Sequence, residues 1–291
     1  MDVDRGRTTA NGVAFEYLRA GDRSGPLALC LHGFPDDAGS MTPLLEQFAA
    51  TGYHAVAPYM RGYAPTGLAP DGDYSAGALG RDALALVDAL DGDPAVLVGH
   101  DWGAAASYVA ARIDPAAFET VVGMALPPRF VAAARERPRQ WLRSWYMAAF
   151  QLPGAERLLR AGDFALVEFL WSTWSPGWDY SEARIESVKN TLNAPGTTAA
   201  ALEYYRQFAR DVLERGALRR DTRSGPPLDV DALVLAGTDD GCVGVELFDD
   251  AAAAFAGDCR VLRVRDAGHF IHRERPDVVA SAVLDWCEAR V

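Results

Sequence analysis

The stretch 99–103, Gly-His-Asp-Trp-Gly, constrains the fold of this chain more than any other. An apolar run at 95–98 precedes it and predicts a buried strand, and a small-residue run at 104–111 follows it and predicts a helix. A glycine two positions either side of Asp101 permits a sharp strand-to-helix turn, because Cβ atoms there would clash. Such a turn raises the central side chain, here a carboxylate, at the N-terminus of the helix.

The order of the predicted elements indicates a parallel sheet covered by helices. Strands are predicted at 11–19, 27–31, 53–57, 95–98, 120–126, 232–236 and 260–264. Helices are predicted at 41–50, 75–90, 104–111, 245–255 and 276–289. Most of the strands are continuous apolar runs, which are typical of strands buried on both faces, and the first alternates like a strand of an edge hairpin. We therefore predict an α/β fold with a mostly parallel, doubly wound sheet.

The alternation of strands and helices stops in the middle of the chain. The segment 128–225 has no run that predicts a buried strand, and it holds five of the seven tryptophans. Helical patterns are predicted there at 140–150, 164–171 and 198–215. Because this segment follows the strand edge that carries Asp101, we expect it to cover Asp101 as an all-helical lid. The predicted domains are a core of 1–127 with 226–291, and a lid of 128–225.

Composition limits the partners of the chain. Its 291 residues carry 28 Lys and Arg against 40 Asp and Glu, and the net charge of −12 argues against nucleic acid or an anionic membrane. Neither a membrane-length apolar run nor the apolar core of a signal peptide occurs, which predicts a cytoplasmic protein. Four cysteines without ligand or framework spacing predict reduced thiols. We expect no metal and no cofactor, and the sequence leaves the oligomeric state open, a homodimer included.

Two further residues complete a candidate catalytic triad with Asp101. Asp240 follows the predicted strand at 232–236, and His269 follows the one at 260–264. A nucleophile, an acid and a histidine in this chain order, each after a strand, are typical of α/β-hydrolases. The spacing from Gly237 favours Asp240 over its neighbour Asp239 as the acid.

The other histidines have weaker claims on catalysis. His272, three residues after His269, is the alternative to it. His32 and His100 lie beside predicted turns of the site, and we expect them to support its backbone through hydrogen bonds.

An aspartate on the turn selects saturated carbon as the point of attack. A serine would form a stable ether there, whereas a carboxylate forms an alkyl ester whose carbonyl water can cleave. His269 would activate that water, Asp240 would orient His269, and main-chain N–H groups would hold the oxyanion. The pattern therefore predicts a substrate with an epoxide or a carbon–halogen bond, and it excludes a serine esterase.

The chain resembles α/β-hydrolase-fold epoxide hydrolases over nearly its whole length. The matching motifs are His-Gly-Phe-Pro at 32–35, Arg-Gly-Tyr at 61–63, the turn at 99–103, the lid segment at 144–150 and the Tyr-Arg step at 205–206. The resemblance implies that Tyr146 and Tyr205 donate to the epoxide oxygen. It also implies an oxyanion hole made by the main-chain N–H groups of Phe34 and Trp102. Helix geometry alone leaves Tyr204 and Tyr205 open, because neighbours point about 100° apart.

A small-molecule epoxide and water are thus the expected substrates, and a vicinal diol is the expected product. Haloalkane dehalogenase is the alternative, because Trp102 resembles that family's halide donor, although epoxide hydrolases also have it. Phe34 offers no side-chain donor where dehalogenases often have Asn or Glu. An alternative of another class is a non-catalytic ligand-binding protein on the same fold, against which the complete triad argues.

Overall fold

The computed structural model describes residues 3–92, 95–214 and 226–290. Its strands are β1 (Asp4–Ala10), β2 (Val13–Ala20), β3 (Leu27–Leu31), β4 (His54–Pro58), β5 (Ala95–His100), β6 (Phe118–Met124), β7 (Ala232–Gly237) and β8 (Cys259–Val264). They form one eight-stranded sheet in the order β1-β2-β4-β3-β5-β6-β7-β8. Only the pairs β1–β2 and β2–β4 are antiparallel. The predicted α/β-hydrolase fold with a mostly parallel sheet is confirmed.

The centre of the sheet is buried on both faces. Every residue of β3, β4, β5 and β7 is buried, as their unbroken apolar runs predict. Strand β3 lies between β4 on one side and β5 on the other, so the order of the strands reverses there. A crevice opens at such a reversal, outside the carboxyl ends of the strands. The loop that starts at His32 and the turn at Asp101 both leave the sheet at this point.

Helices cover the sheet, and helices joined by loops make up the described part of the segment between β6 and β7. Those of the core are α1 (Thr42–Ala50), α2 (Ala76–Ala89), α3 (Trp102–Ile113), α10 (Ile271–Glu274) and α11 (Pro276–Glu288). Those between β6 and β7 are α4 (Phe130–Arg135), α5 (Pro138–Arg143), α6 (Trp145–Ala149), α7 (Ala155–Trp174), α8 (Glu182–Asn193) and α9 (Thr197–Glu214). Within 125–214 no residue lies in a strand. Across the described ranges, no helix combines the length and apolar character needed to cross a bilayer.

The predicted lid boundaries stay predictions, and residues 215–225 at its far end lie outside the described residues. Two of the helix predictions differ from the structure. The predicted helix at 140–150 is divided at Ser144 into α5 and α6. The predicted helix at 245–255 forms two 3-10 helices, Val245–Phe248 and Ala251–Ala254. Asp249 and Asp250 lie between them, and aspartate side chains compete with helical backbone hydrogen bonds.

Buried ion pairs join α8 to the loop after β3. Arg184 pairs with Asp36 and, at 2.8 Å, with Asp37. Ser187 and Thr191 donate hydrogen bonds of 3.1 Å and 3.2 Å to Asp37 Oδ2. Burial alone would raise the pKa of Asp37, but the Arg184 guanidinium outweighs burial and holds it below its usual value. The contact therefore rests on charges that compensate each other.

Candidate active site

The turn at Asp101 is strained and depends on glycines. Asp101 has φ 51° and ψ −114°, a positive φ that non-glycine residues rarely adopt. A Cβ on Gly99 would lie 2.2 Å from the carbonyl oxygen of Gly103, and one on Gly103 would lie 2.1 Å from that of Leu31. Backbone strain of this kind concentrates at functional sites. The predicted sharp turn therefore exists, and it presents a buried carboxylate at the start of α3.

The structure brings the three candidate triad residues together. His269 Nδ1 lies 2.9 Å from Asp240 Oδ2, and His269 Nε2 lies 3.7 Å from Asp101 Oδ2. The second oxygen of Asp240 accepts main-chain hydrogen bonds from Cys242 and Val243, at 2.7 Å and 2.8 Å. Asp240 thus has one oxygen anchored and one directed at the imidazole, the arrangement that orients a catalytic histidine.

The competing carboxylate and histidine lie elsewhere. Asp239 is exposed and its carboxylate lies against Thr238. The ring of His272 lies against that of His100, with centroids 4.5 Å apart and planes tilted by 51°, and neither ring nitrogen of His272 has a hydrogen-bond partner among the described residues. His32 accepts from the Met60 N–H and donates to the Gly33 carbonyl, so it supports the loop after β3.

The opposite charges of neighbouring groups decide whether Asp101 and His269 are protonated. Burial would lower the pKa of His269, but the carboxylates of Asp240 and Asp101 outweigh burial and raise it to about 10. Burial would raise the pKa of Asp101, but His269, His100 and the Phe34 N–H together hold it below its usual value. In the ligand-free protein at neutral pH, Asp101 is therefore ionised and His269 carries a proton.

One main-chain N–H group lies against the Asp101 carboxylate: that of Phe34, which donates to Asp101 Oδ1 at 2.9 Å. Trp102 is the first residue of α3, where main-chain N–H groups have no acceptor within the helix. That the N–H groups of Phe34 and Trp102 form an oxyanion hole stays a prediction.

Two tyrosines from the helices between β6 and β7 lie close to Asp101. Tyr146 on α6 and Tyr205 on α9 have ring centroids 5.7 Å apart. The Tyr146 hydroxyl lies 3.4 Å from Cys242 Sγ, whereas the Tyr205 hydroxyl is buried without a hydrogen-bond partner among the described residues. Burial, with smaller contributions from Cys242 and Asp101, raises the pKa of both phenols well above its usual value. Both hydroxyls therefore keep their protons at neutral pH.

Tyr204 points away from these groups. Its hydroxyl donates to the Arg61 carbonyl at 2.7 Å, and its ring packs edge-on against Tyr63. Helix geometry left open which of the two tyrosines faces the site; Tyr205 lines the same cavity as Asp101, and Tyr204 is not among the residues that line it.

A cavity of about 500 Å³ joins these residues. Asp101, Tyr146 and Tyr205 line it together with mostly apolar side chains, among them Val109 and Phe208. Such a cavity suits a small apolar ligand with one reactive polar group.

Sequence reasoning missed two residues at the site. Cys242 supplies both the sulfur beside Tyr146 and an N–H to Asp240, and its place two residues after Asp240 was the only signal. The main-chain carbonyl of Trp174, at the end of α7, accepts a hydrogen bond of 3.0 Å from the main-chain N–H of His269. No sequence motif indicates this contact.

Comparison with known proteins agrees with this geometry. A family model described as alpha/beta hydrolase fold matches residues 26–276. The chain belongs to the alpha/beta hydrolase fold family. This alpha/beta hydrolase is 26% identical to AB hydrolase superfamily protein YfhM of Bacillus subtilis, with 95% of each chain covered. It is 27% identical to epoxide hydrolase A of Mycobacterium tuberculosis, covering 95% of this chain and 94% of that one.

A solved structure gives the same result. The crystal structure of epoxide hydrolase A from Mycobacterium thermoresistibile matches with a TM-score of 0.82 and 26% identity, covering 98% of both chains. The predicted resemblance to α/β-hydrolase-fold epoxide hydrolases is confirmed.

Proposed function

We propose that this alpha/beta hydrolase is an epoxide hydrolase that converts an apolar epoxide and water to a vicinal diol, with 128–225 as its lid. The observation that carries the proposal is one mostly apolar cavity lined by an ionised carboxylate, Asp101, and two protonated tyrosines, Tyr146 and Tyr205. The relatives named epoxide hydrolase A support it. The triad and the tyrosine roles are part of this proposal.

In the first step Asp101 opens the ring. One of its oxygens attacks an epoxide carbon, the bond from that carbon to the ring oxygen breaks, and an alkyl ester forms. The ring oxygen takes a proton from Tyr146 or Tyr205, and the other tyrosine stabilises the developing charge with a hydrogen bond.

The ester formed in the first step changes the protonation of His269. Ionised Asp101 contributes to the raised pKa of His269, and the ester has no charge. The pKa therefore falls, and the proton that His269 loses restores the tyrosine hydroxyl. Neutral imidazole, held by Asp240, is then the base for the second step.

In the second step water cleaves the ester. His269 takes a proton from the water, whose oxygen adds to the ester carbonyl, and the N–H groups of Phe34 and Trp102 stabilise the oxyanion. Collapse of this intermediate breaks the carbonyl carbon–alkoxide bond, and the alkoxide takes the hydroxyl proton and leaves as the diol. Ionised Asp101 and protonated His269 are restored.

Intact-mass spectrometry tests this mechanism directly. The variant His269→Gln, mixed with styrene oxide, should accumulate a protein heavier by one substrate molecule, and the variant with Asp101→Asn in addition should not. Asp239→Asn, which changes only the exposed neighbour of Asp240, should hydrolyse styrene oxide to the diol like the wild type. Absence of the adduct from His269→Gln, together with retained turnover in Asp101→Asn, would show that the nucleophile is misassigned.

Dehalogenation is the second candidate, and the observation that favours it is the Trp102 side chain in the lining of the cavity. An indole N–H can stabilise a leaving halide as well as it can pack against an apolar substrate. Faster halide release from short haloalkanes than diol formation from epoxides would favour this reaction over the first.

A further inference from the structure

A second group of buried polar side chains lies behind the candidate triad. Asp36 in the loop after β3, His100 at the end of β5 and His272 on α10 place their ligand-type atoms within 4.8 Å of one another. All three are buried, with no exposed surface. The proposed catalytic steps use none of them.

The free atoms of this group are defined by the hydrogen bonds around them. His100 Nε2 donates to the His269 carbonyl at 3.0 Å, so His100 Nδ1 carries a lone pair, and it has no partner among the described residues. Asp36 Oδ1 is bonded by Arg184 and by the Asp37 N–H, whereas Asp36 Oδ2 is unpartnered. Both ring nitrogens of His272 are buried and unpartnered as well.

The unpartnered atoms of Asp36, His100 and His272 destabilise the folded protein unless a bound ion or molecule interacts with them. Each buried polar atom without a partner destabilises a folded protein, because it has lost its hydrogen bonds to water and gained none in return. A bound cation would satisfy several of these atoms at once. A buried water is the other occupant that such atoms accept, and it needs donors as well as acceptors around it.

His100 already makes the second interaction that is usual for a metal-ligating histidine. Ligating histidines usually donate their other ring N–H to a carbonyl or carboxylate, and His100 donates to a carbonyl.

We propose that Asp36, His100 and His272 form a binding site for a divalent first-row metal ion, with Zn²⁺ as the best match. Two imidazole nitrogens and one carboxylate favour such ions over Mg²⁺ and Ca²⁺, which prefer oxygen ligands. The site is structural. It joins the loop that carries Phe34, the strand end next to Asp101 and the helix that follows His269, and it does not depend on the proposed function.

Positive neighbours limit the affinity but do not remove the site. Arg184 is already compensated by Asp36 and Asp37. Arg273 follows His272 directly in the chain and adds a second positive charge nearby. The ion therefore has to be held by the lone pairs of the two histidines as much as by charge, which again favours Zn²⁺ over Mg²⁺.

Metal analysis of the purified full chain tests the proposal. After expression with added zinc and dialysis against metal-free buffer, we expect about one Zn²⁺ per chain by plasma mass spectrometry. His272→Gln should lose it. Two controls should keep it: His54→Gln, which changes another buried histidine with an unpartnered nitrogen, and Cys242→Ala, which removes a ligand from the group of Asp240, Cys242 and His269.

A thermal measurement on the wild type keeps the proposal testable if His272→Gln fails to fold. Removal of the metal by a chelator should lower the melting temperature, because an ion that binds only the folded state stabilises it, and added Zn²⁺ should restore it. Wild-type protein that carries no zinc and melts at the same temperature in chelator would overturn the proposal and leave a buried water as the occupant. Equal zinc content in the wild type and His272→Gln would overturn it too. If only Cys242→Ala lost its zinc, the ion would be bound by Asp240, Cys242 and His269 instead.

Discussion

His269 Nε2 lies 3.7 Å from Asp101 Oδ2, whereas the opposite ring nitrogen is 2.9 Å from Asp240. The first distance is too long for a hydrogen bond, so the contact with Asp101 is an ion pair across a small gap. A ring held firmly on one side and loosely on the other leaves the Asp101 oxygen free to attack. In the proposed second step, the same gap would let a water molecule approach the ester.

Removal of the His269 charge should shift the pH dependence of the alkylation step. His269 is the main group that holds the pKa of Asp101 low against the effect of burial, so in His269→Gln that pKa rises. The nucleophile must be ionised to attack. We therefore expect the acid limb of the pH–rate profile for alkylation, where the rate falls as the pH is lowered, to lie at higher pH in His269→Gln than in the wild type. Single-turnover reactions with styrene oxide, followed by mass spectrometry of quenched samples, measure this rate. Asp239→Asn should leave the limb in place, and an unmoved limb in His269→Gln would contradict the ion pair.

The two site tyrosines should act on the rate of ring opening. Tyr146→Phe and Tyr205→Phe each remove a donor to the epoxide oxygen, and general acids contribute about 10²–10⁴-fold. We expect the alkylation rate of the double variant to fall by about this factor, with a much smaller change in substrate binding.

Tyr204→Phe is the matched control for these variants. It removes only the hydrogen bond to the Arg61 carbonyl, which should cost about 1 kcal/mol of folding free energy and leave alkylation unchanged. Rapid-quench kinetics and denaturant unfolding separate the two effects. If Tyr204→Phe lowered the alkylation rate as much as Tyr205→Phe, the effect would come from a disturbance of α9 and not from the loss of the Tyr205 hydroxyl.

Local patterns predicted the core of the fold and the strand ends at which Asp101, Asp240 and His269 meet. The unbroken apolar runs correspond to strands β3, β4, β5 and β7, and the glycines around Asp101 correspond to a turn that a Cβ would block. These features depend on neighbours in the chain. They are therefore readable without the structure.

Contacts between distant segments could not be predicted in the same way. Helix α8 was not predicted, because its polar sequence buries Arg184 and Lys189 beside a few apolar residues. Arg184 meets Asp36 across 148 positions, and Cys242 meets Tyr146 across 96. Nothing in the local sequence marks such pairs.

The ion pairs of Arg184 should make the stability of the fold depend on pH. In Arg184→Met the buried carboxylates of Asp36 and Asp37 lose their partner, which should cost about 3–5 kcal/mol at pH 7. The pKa of Asp37 is lowered in the folded protein, so its contribution is present above the pKa of the unfolded chain and is lost as pH falls through the folded value.

The difference between wild type and Arg184→Met should therefore shrink as the pH falls below about 4, where carboxylates protonate. Urea unfolding at a series of pH values measures it. Arg7→Met, which breaks the exposed pair with Glu16, should cost less than about 1 kcal/mol at every pH. A loss of similar size in both variants at pH 7 would refute the buried contribution.

Gly99 should tolerate no side chain, because its ideal Cβ position lies 2.2 Å from the Gly103 carbonyl oxygen and 2.5 Å from the Ala104 nitrogen. Both are backbone atoms of the turn, so relief requires that Asp101 move. Gly99→Ala should lose about 1–3 kcal/mol or more of folding free energy, as overpacked sites do, and it should no longer carry out alkylation.

Gly77→Ala is the control, since its Cβ would meet only side-chain atoms at 3.4 Å and 3.5 Å in the first turn of α2. That change should keep full activity and raise stability slightly, because alanine favours helix over glycine by about 1 kcal/mol. Full activity in Gly99→Ala would show that the turn can open without displacing the nucleophile.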